Sequence, residues 1–237
     1  MSASRLLVVS TSTIHSSSYL SYILPEVREF FEGTNEVLFI PYARPSGISH
    51  DEYTSKAAAS FADIGIQLKG LHTFNDPVKA INEAGGVFTG GGNTFVLLQA
   101  LYQLGLVTSL REQIKNGMPY MGTSAGSNIT GLTIGTTNDM PIVYPPSFEA
   151  LQVLPFNINP HYLDPDPDSK HMGETRETRI HEFHQFNSQM VVGLREGSWL
   201  DVKGGAIVLK GDLSARIFRA GVAPSEVPAG SDLSELI

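Results

Sequence analysis

The first half of the chain alternates short apolar runs with segments whose apolar positions recur at helical spacing. The runs RLLVVST (5–11), EVLFIPYA (36–43) and GVFTG (86–90) contain many β-branched and aromatic residues, and helical patterns separate them. Continuous apolar strands that alternate with helices are typical of a parallel sheet covered on both faces. We therefore predict an α/β fold with a doubly wound, mostly parallel sheet flanked by helices.

Residues that typically begin or end helices mark the remaining strands and helices of the first half. Proline is poorly tolerated inside a helix, and glycine commonly follows a helix end. Two further predicted strands are IQLKGLHT (66–73) and MPYMG (118–122). The predicted helices are SYLSYILPEVREFFEG (18–33) with an irregularity at Pro25, DEYTSKAAASFADIG (51–65) closed by Gly65, a short helix from Asp76 and a helix from Asn93.

The pattern changes after residue 190. The short apolar runs MVVGL, SWLDV, AIVLK and ARIFRA follow one another closely, and KGG and KGDLS turns lie between them. Short strands joined by such turns indicate antiparallel pairing, so we predict a short antiparallel C-terminal extension of the sheet. No linker, repeat or low-complexity segment divides the chain. We expect residues 1–237 to form a single α/β domain.

Composition narrows the class of protein. With 41% apolar and 17% charged residues the chain is ordinary for a globular protein, and its net charge of −8 argues against a nucleic-acid partner. Apolar runs such as LLVV are too short to span a bilayer, and the first residues do not resemble a secretory signal. The absence of cysteine excludes disulfides and a cysteine nucleophile. We expect a cytoplasmic protein with no membrane partner.

A serine lies between two glycines at the end of the apolar run 118–122. Residues 122–126, GTSAG, fit the G-x-S-x-G pattern, in which a strand breaks into a helix at an exposed nucleophilic serine. Small residues are common, however, so an ordinary loop explains the same five letters. The motif makes Ser124 a candidate nucleophile that needs support from the rest of the chain.

A second glycine-rich stretch, TGGGNTF (89–95), also follows a predicted strand and opens a helix. It lacks the lysine and Ser/Thr of a P-loop, so it does not indicate a nucleotide site. One interpretation is structural, with Asn93 capping the helix and the glycines forming a tight turn. The other is catalytic, with a glycine N–H and the N–H of Ala125 forming an oxyanion hole. The local sequence leaves both open.

A serine nucleophile needs a base, and the chain has seven histidines. His161 ends an apolar run in FNINPHYLD, as expected for a side chain at a strand end. His171, His181 and His184 lie in or near a charged helical stretch and look solvated. A lone histidine is more often structural than catalytic, but His161 is the best-placed candidate.

Two carboxylates could orient that histidine. Glu196 follows the run MVVGL, again at a strand end, and Asp139 lies in TTNDMPIV (136–143). The order of the side chains along the sequence is compatible with a Ser-His-Glu or a Ser-Asp-His triad, so order does not decide between them.

Metal sites are less favoured. The histidines of HEFH (181–184) are three residues apart rather than the four of H-E-x-x-H, and a helix surface explains them. Asp164, Asp166 and Asp168 alternate, but prolines interrupt them and Ser169 stands where an EF-hand has glycine. We expect an exposed loop there, and neither a metal nor another cofactor.

Six stretches together make the sequence resemble the peptidase E family, the α-aspartyl dipeptidases of the class I glutamine amidotransferase-like superfamily. The stretches are GGGNTF (90–95), GTSAGSN (122–128), TTNDMPIV (136–143), INPH (158–161), GETRETRI (173–180) and LREGSW (194–199). They are spread over most of the chain in a specific order, and no shared motif is evident from about Gly221 onward. The resemblance implies a cytoplasmic, metal-independent serine peptidase that releases an N-terminal aspartate.

The resemblance also implies roles for particular residues. It makes Ser124 the nucleophile, His161 the base and Glu196 the third member of the triad, with Asp139 as the rival acid. It assigns the oxyanion hole to Gly92 and Ala125. It implies substrate-binding roles for Asn93 and Arg176, of which Arg176 reads the aspartyl carboxylate.

Two alternatives to an Asp-Xaa dipeptidase stay open at this point. Cyanophycinases are relatives with similar machinery, so cleavage of β-linked aspartyl material is one. A catalytically silent small-molecule binding protein on the same fold is the other, although the joint presence of Ser124, His161 and Glu196 argues against it. The sequence does not decide the oligomeric state, and a homodimer is compatible with it.

Overall fold

The computed structural model describes residues 4–166, 168, 170 and 172–236. Its main sheet has seven strands in the order β3-β2-β4-β5-β1-β8-β9. The first five are parallel, while β8 and β9 pair antiparallel. The predicted α/β class with a mostly parallel sheet is confirmed. The strands are β1 (Arg5–Val9), β2 (Glu36–Ile40), β3 (Gln67–Gly70), β4 (Val87–Thr89), β5 (Pro119–Thr123), β8 (Trp199–Lys203) and β9 (Ala206–Lys210).

A second sheet of four strands has the order β11-β10-β7-β6. Strands β6 and β7 are parallel, and β10 and β11 continue the sheet antiparallel. The strands predicted after residue 190 are therefore divided: β8 and β9 extend the main sheet antiparallel as expected, whereas β7 and β10 belong to the second sheet. The strands are β6 (Asn157–Pro160), β7 (Val191–Leu194), β10 (Ala215–Phe218) and β11 (Ser225–Val227).

Within the described residues, seven α-helices connect these strands. They are α1 (Leu24–Phe30), α2 (His50–Ala62), α3 (Pro77–Asn82), α4 (Thr94–Gln103), α5 (Leu106–Lys115), α6 (Ala125–Asn128) and α7 (Arg176–Phe183). The sequence predicted a helix over 18–33 with an irregularity at Pro25. In the structure Pro25 instead stands in the first turn of the shorter helix α1. A missing N–H has no cost there, because the first turn of a helix has no intrahelical acceptor for it.

The single helix predicted from Asn93 is two helices. Asn93 caps α4 through its side chain, which accepts a hydrogen bond from the N–H of Val96. The chain then turns at Gly105, whose φ of 68° is left-handed, and α5 begins at the next residue. Glycine tolerates this conformation because it has no Cβ.

The main sheet is buried on both faces, as continuous apolar strands require. In β1, Leu6 and Val8 face a core that also contains residues of the second sheet, while Leu7 and Val9 face a core of aromatic side chains under α1 and α2. This alternation is the two-residue period of a strand. Within the described residues, no helix is both long and apolar enough to cross a membrane.

Candidate active site

Ser124 stands on a sharp turn between β5 and α6. Its backbone has φ 52° and ψ −109°, which is unusual for a residue with a side chain, and its N–H donates to the carbonyl of Val9 at 3.1 Å. Such a conformation costs on the order of 1–3 kcal/mol and persists only where the surroundings enforce it. Ser124 directly follows the last residue of β5, so its half-buried side chain stands at the carboxyl edge of the sheet.

The glycines around Ser124 are required by close backbone contacts. A Cβ on Gly122 would overlap the carbonyl of Gly126, and a Cβ on Gly126 would overlap the carbonyl of Thr89. A Cβ on Gly91 would lie 3.0 Å from the Cβ of Ser124. The small residues of both glycine-rich stretches thus let β4, β5 and α6 approach one another around the serine.

His161 and Glu196 complete a hydrogen-bonded chain with Ser124. The Nε2 atom of His161 lies 2.9 Å from Oγ of Ser124, and its Nδ1 lies 2.7 Å from Oε1 of Glu196. His161 also has a positive φ of 53°, and its N–H donates to Oγ of Ser10 at 2.9 Å. The hydroxyl of Ser10 in turn donates to the carbonyl of Leu194 at 2.8 Å.

This arrangement can activate a serine. A hydroxyl is a weak nucleophile until a neighbouring base accepts its proton, and the base works best when a third group fixes its orientation. In the neutral tautomer that donates its Nδ1–H to Glu196, the Nε2 atom of His161 is an acceptor and faces the hydroxyl of Ser124. The geometry therefore suits nucleophilic attack by Ser124.

The structure does not bring Asp139 to the histidine. Its Oδ2 accepts hydrogen bonds from the N–H and hydroxyl of Thr94 at 2.7 and 2.6 Å, and from the hydroxyl of Thr137 at 3.1 Å. Asp139 therefore stabilises the beginning of α4, where a negative charge is favourable. Glu196, and not Asp139, makes the hydrogen bond to His161, so we take Glu196 as our candidate for the acid of the triad.

The two amides expected to form an oxyanion hole lie in suitable loops. Among the described residues, the N–H groups of Gly92 and Ala125 donate to no other group. Gly92 has φ 148°, and a Cβ there would overlap the carbonyl of Ala43. The carbonyl of Ala43 also accepts from the N–H of Asn93 at 2.6 Å, which fixes the loop against β2.

Asn93 is engaged at both ends of its side chain. Its Oδ1 caps α4, and its Nδ2 donates to the carbonyl of Met140 at 2.9 Å. The structural interpretation of Asn93 as a helix cap is thus correct. One amide hydrogen remains for a ligand, since Nδ2 carries two.

Arg176 begins α7 and borders a cleft that His161 and Glu196 also line. The cleft has a volume of 1010 Å³, and its lining includes His161, Glu196, Arg176 and Leu213. Burial lowers the pKa of Arg176, the neighbouring charge of Arg179 lowers it further, and the carboxylate of Asp139 opposes both effects. Arg176 makes no ion pair with the described residues, so a positive charge is available at the cleft.

The other histidines singled out in the sequence lie away from Ser124. His181 is exposed on α7, and His184 is half-buried with Nε2 2.9 Å from the carbonyl of Gln189. His171 lies outside the described residues, as does Ser169. Within the described part of the chain, no three His, Asp or Glu side chains are grouped to hold a metal ion.

Sequence reasoning missed three residues that shape this site. Ser10 holds the backbone of His161, Gly91 leaves space for the Cβ of Ser124, and Arg195 binds the loop that follows His161. Gly91 was detectable only as one glycine of three. Arg195 lies in the stretch LREGSW (194–199), which pointed only to Glu196, and Ser10 carried no local signal. The contacts of both residues join parts of the chain that are distant in sequence.

Comparison with known proteins identifies relatives over the full length of the chain. The profile of peptidase family S51 matches residues 6–210. Peptidase E of Streptomyces coelicolor is 51% identical over 233 residues, which cover 98% of this chain and 95% of that protein. A Drosophila melanogaster protein named as a probable alpha-aspartyl dipeptidase is 44% identical over 239 residues, covering 100% of this chain and 98% of its own.

A solved structure has the same fold. A peptidase from an acI-B1 Actinobacterium superposes with a TM-score of 0.74 at 17% identity, covering 98% of this chain and 96% of that one. Together with the matches above, the fold and the site define a serine-type peptidase on an α/β scaffold. The chain belongs to peptidase family S51.

Proposed function

We propose that this protein is an α-aspartyl dipeptidase that hydrolyses Asp-Xaa dipeptides through an acyl-enzyme on Ser124. The observation that carries the proposal is the hydrogen-bonded chain of Ser124, His161 and Glu196 at the carboxyl edge of the sheet. Relatives named Peptidase E and probable alpha-aspartyl dipeptidase, at 51% and 44% identity, support the substrate class.

Acylation begins with proton transfer from Ser124 to His161. Oγ attacks the carbonyl carbon of the N-terminal aspartyl residue, and Nε2 of His161 accepts the hydroxyl proton. Glu196 stabilises the positive charge that develops on the imidazole. The protonated His161 then gives this proton to the leaving amine of Xaa, the peptide bond breaks, and the aspartyl group remains esterified to Ser124.

Deacylation repeats these steps with water. His161 takes a proton from a water molecule while the water oxygen attacks the carbonyl carbon of the ester. His161 then returns this proton to Oγ of Ser124, which leaves as the hydroxyl, and aspartate is released. In both tetrahedral intermediates the negative oxygen needs preorganised donors, for which the N–H groups of Gly92 and Ala125 are our candidates. Both belong to loops that adjoin Ser124, and neither donates elsewhere among the described residues.

Arg176 is our candidate for the residue that selects aspartate. Transfer of a carboxylate from water into a cleft is costly unless a cation meets it, and a guanidinium can donate two parallel hydrogen bonds. Asn93 has an amide hydrogen with which to support the same carboxylate.

Asp139 is our candidate for binding the substrate's α-ammonium group. Its Oδ2 is occupied by Thr94 and Thr137, whereas its Oδ1 accepts no hydrogen bond from the described residues. Its charge also raises the pKa of Arg176, against the lowering by burial and by Arg179, so the two charges are close enough to interact. An Asp-Xaa dipeptide carries a side-chain carboxylate for Arg176 and an α-ammonium group for Asp139.

A dipeptide panel tests the proposed function. Purified enzyme is assayed with Asp-Leu, Asn-Leu, Glu-Leu and β-linked Asp-Leu, with the Ser124→Ala variant as the blank. We expect hydrolysis of Asp-Leu only. Preference for the β-linked substrate would favour the cyanophycinase-like alternative, and equal rates on all four would reject aspartyl specificity. A cytoplasmic location and a homodimer remain predictions.

A further inference from the structure

Arg195 is the most extensively hydrogen-bonded side chain near the cleft. Its Nε and Nη2 donate to the two carboxylate oxygens of Asp164 at 2.7 and 2.6 Å. Its Nη1 and Nη2 donate to the two oxygens of Glu226, both at 3.0 Å. Nη1 also reaches the carbonyl and hydroxyl of Ser214 at 2.7 and 2.9 Å. All five N–H groups of the guanidinium are thus engaged, and it is only 13% exposed.

These contacts join the two loops that carry His161 and Glu196. Arg195 directly precedes Glu196, and Asp164 lies three residues after His161. Between them, the ring of Tyr162 packs under the guanidinium, whose carbon lies 5.4 Å from the ring centre. One side chain therefore links the backbone before the acid to the backbone after the base.

Both linked residues need external support. His161 has a left-handed backbone, which an ordinary side chain adopts only when its surroundings enforce it. The carboxylate of Glu196 is 54% exposed, and its one hydrogen bond within the described residues is to His161. Its position must therefore be set by the backbone rather than by other partners of its side chain.

We propose that Arg195 is a positioning residue that holds Glu196 and His161 in register for proton transfer. Arg195 lines the cleft, but all its donors are occupied within the protein, so we assign it no hydrogen bond to the substrate or to Ser124. Two bidentate carboxylates fix both the place and the plane of a guanidinium, whereas a lysine would supply only a point charge. The proposal rests on the proposed function, in which His161 and Glu196 move the proton of Ser124.

The C-terminal segment has a part in this arrangement. Glu226 lies in β11, beyond residues 6–210 that match the family profile, and it holds the outer edge of the guanidinium. Glu226 also binds Arg216 at 3.0 Å, and Arg216 binds Glu177 at 2.9 Å. Arg216 shares a carboxylate with Arg195 but contacts neither Asp164 nor the residues beside Glu196, so it provides a matched control.

The test compares Arg195→Ala, Arg195→Lys and Arg216→Ala by steady-state kinetics on Asp-Leu. Misplacement of catalytic groups by about 1 Å can lower the rate on the order of 10²-fold, so we expect a loss of that size in kcat for Arg195→Ala. KM should stay within about threefold, because the interaction lost acts in the transition state and not in substrate binding. Arg195→Lys should recover part of kcat, and Arg216→Ala should remain near wild type.

Chemical rescue adds a readout that a purely structural role would not move. Millimolar guanidinium chloride, far below denaturing concentrations, should restore part of kcat to Arg195→Ala by filling the vacated space, and it should not stimulate Arg216→Ala. Sodium chloride at equal ionic strength is the control. Activities are normalised to the folded fraction measured by circular dichroism. If Arg195→Ala does not fold, Arg195→Lys and Asp164→Asn are compared with the wild type instead.

Several outcomes would overturn the proposal. They are wild-type kcat in folded Arg195 variants, a rise in KM with kcat unchanged, an equal loss in Arg216→Ala, and no rescue by guanidinium. Glu196→Gln separates this failure from that of the proposed function. If Glu196→Gln lowers kcat while the Arg195 variants do not, only the positioning role fails. If Glu196→Gln has no effect, the triad itself is wrong.

Discussion

His161 and Glu196 form a 2.7 Å hydrogen bond although they lie 35 positions apart in the sequence. They meet because β6 and β7 are adjacent parallel strands in which Pro160 pairs with Leu194. His161 follows the first strand and Glu196 lies two residues beyond the second. The carboxyl ends of parallel strands share one edge of a sheet, which is where open α/β folds carry their sites.

Glu196→Gln should lower kcat strongly with little change in KM. The amide of glutamine has no charge to stabilise the imidazolium. It can also hydrogen-bond the ring of His161 in the wrong tautomer, which adds to the loss. Replacing the acid of a serine triad by its amide has cost on the order of 10⁴ in kcat elsewhere. Because Glu196 is largely solvated, we expect a smaller loss here, of about 10²-fold or more, measured by steady-state kinetics on Asp-Leu.

Asp139→Asn is the matched comparison. It keeps the shape of the side chain and part of the hydrogen bonding to Thr94. It removes the charge at the beginning of α4, which we propose also binds the α-ammonium group of the substrate. We expect a raised KM, a smaller change in kcat than in Glu196→Gln, and a modest loss of stability, of about 1 kcal/mol. The opposite ranking of the two kcat values would return the triad to Asp139.

Ser124→Ala should abolish turnover and leave the fold intact. The alanine keeps the Cβ that the site already accommodates, so circular dichroism and the thermal midpoint should resemble those of the wild type. The loss in kcat should be on the order of 10⁴-fold or more. A fluorophosphonate probe followed by intact-mass analysis should label the wild type once and the variant not at all, and retained turnover would contradict the serine mechanism.

Much of the fold follows from local patterns. The apolar runs predicted the strands of the main sheet because a strand buried on both faces must be apolar throughout. They could not divide the later strands between two sheets, since β7 and β8 look alike and only four residues separate them. Their hydrogen-bond partners, which lie far away in the chain, decide that division.

The site was predictable where a motif constrains the backbone. The glycines around Ser124 are dictated by contacts within β4, β5 and α6, so the pattern indicates the turn. The sequence could not choose between Glu196 and Asp139, because that choice depends on which strands are neighbours. Ser10 holds His161 across 151 residues, a contact without any local signature.

The ionised carboxylate of Glu226 should stabilise the fold, and this contribution should be lost in acid. Hydrogen bonds from Arg195 lower the pKa of Glu226 from 4.5 to about 2. The unfolded chain therefore binds more protons than the native one between these values, and stability falls as the pH is lowered from about 5 toward 2. Glu226→Gln should flatten this dependence in thermal melts recorded across the range. Because the side chain is 41% exposed, solvent screening reduces the effect, and identical slopes would contradict it.

The preference for aspartate should depend on Arg176 and not on its neighbour. Both arginines lie on α7, but Arg179 is 3.9 Å from Glu174 whereas Arg176 has no ion pair with the described residues and lines the cleft. Arg179→Ala is therefore the control for a general change of charge on that helix. Its kinetics should remain near wild type.

Arg176→Ala should lower kcat/KM for Asp-Leu by roughly two orders of magnitude or more, the scale expected when a buried carboxylate loses its charged partner. Arg176→Lys should restore only part, since an ammonium cannot reproduce two parallel hydrogen bonds. In the wild type, Asn-Leu should be poor because its amide lacks the charge, and Glu-Leu because its carboxylate lies one methylene too far. A variant without Arg176 that still prefers Asp-Leu to Asn-Leu would show that another group reads the carboxylate.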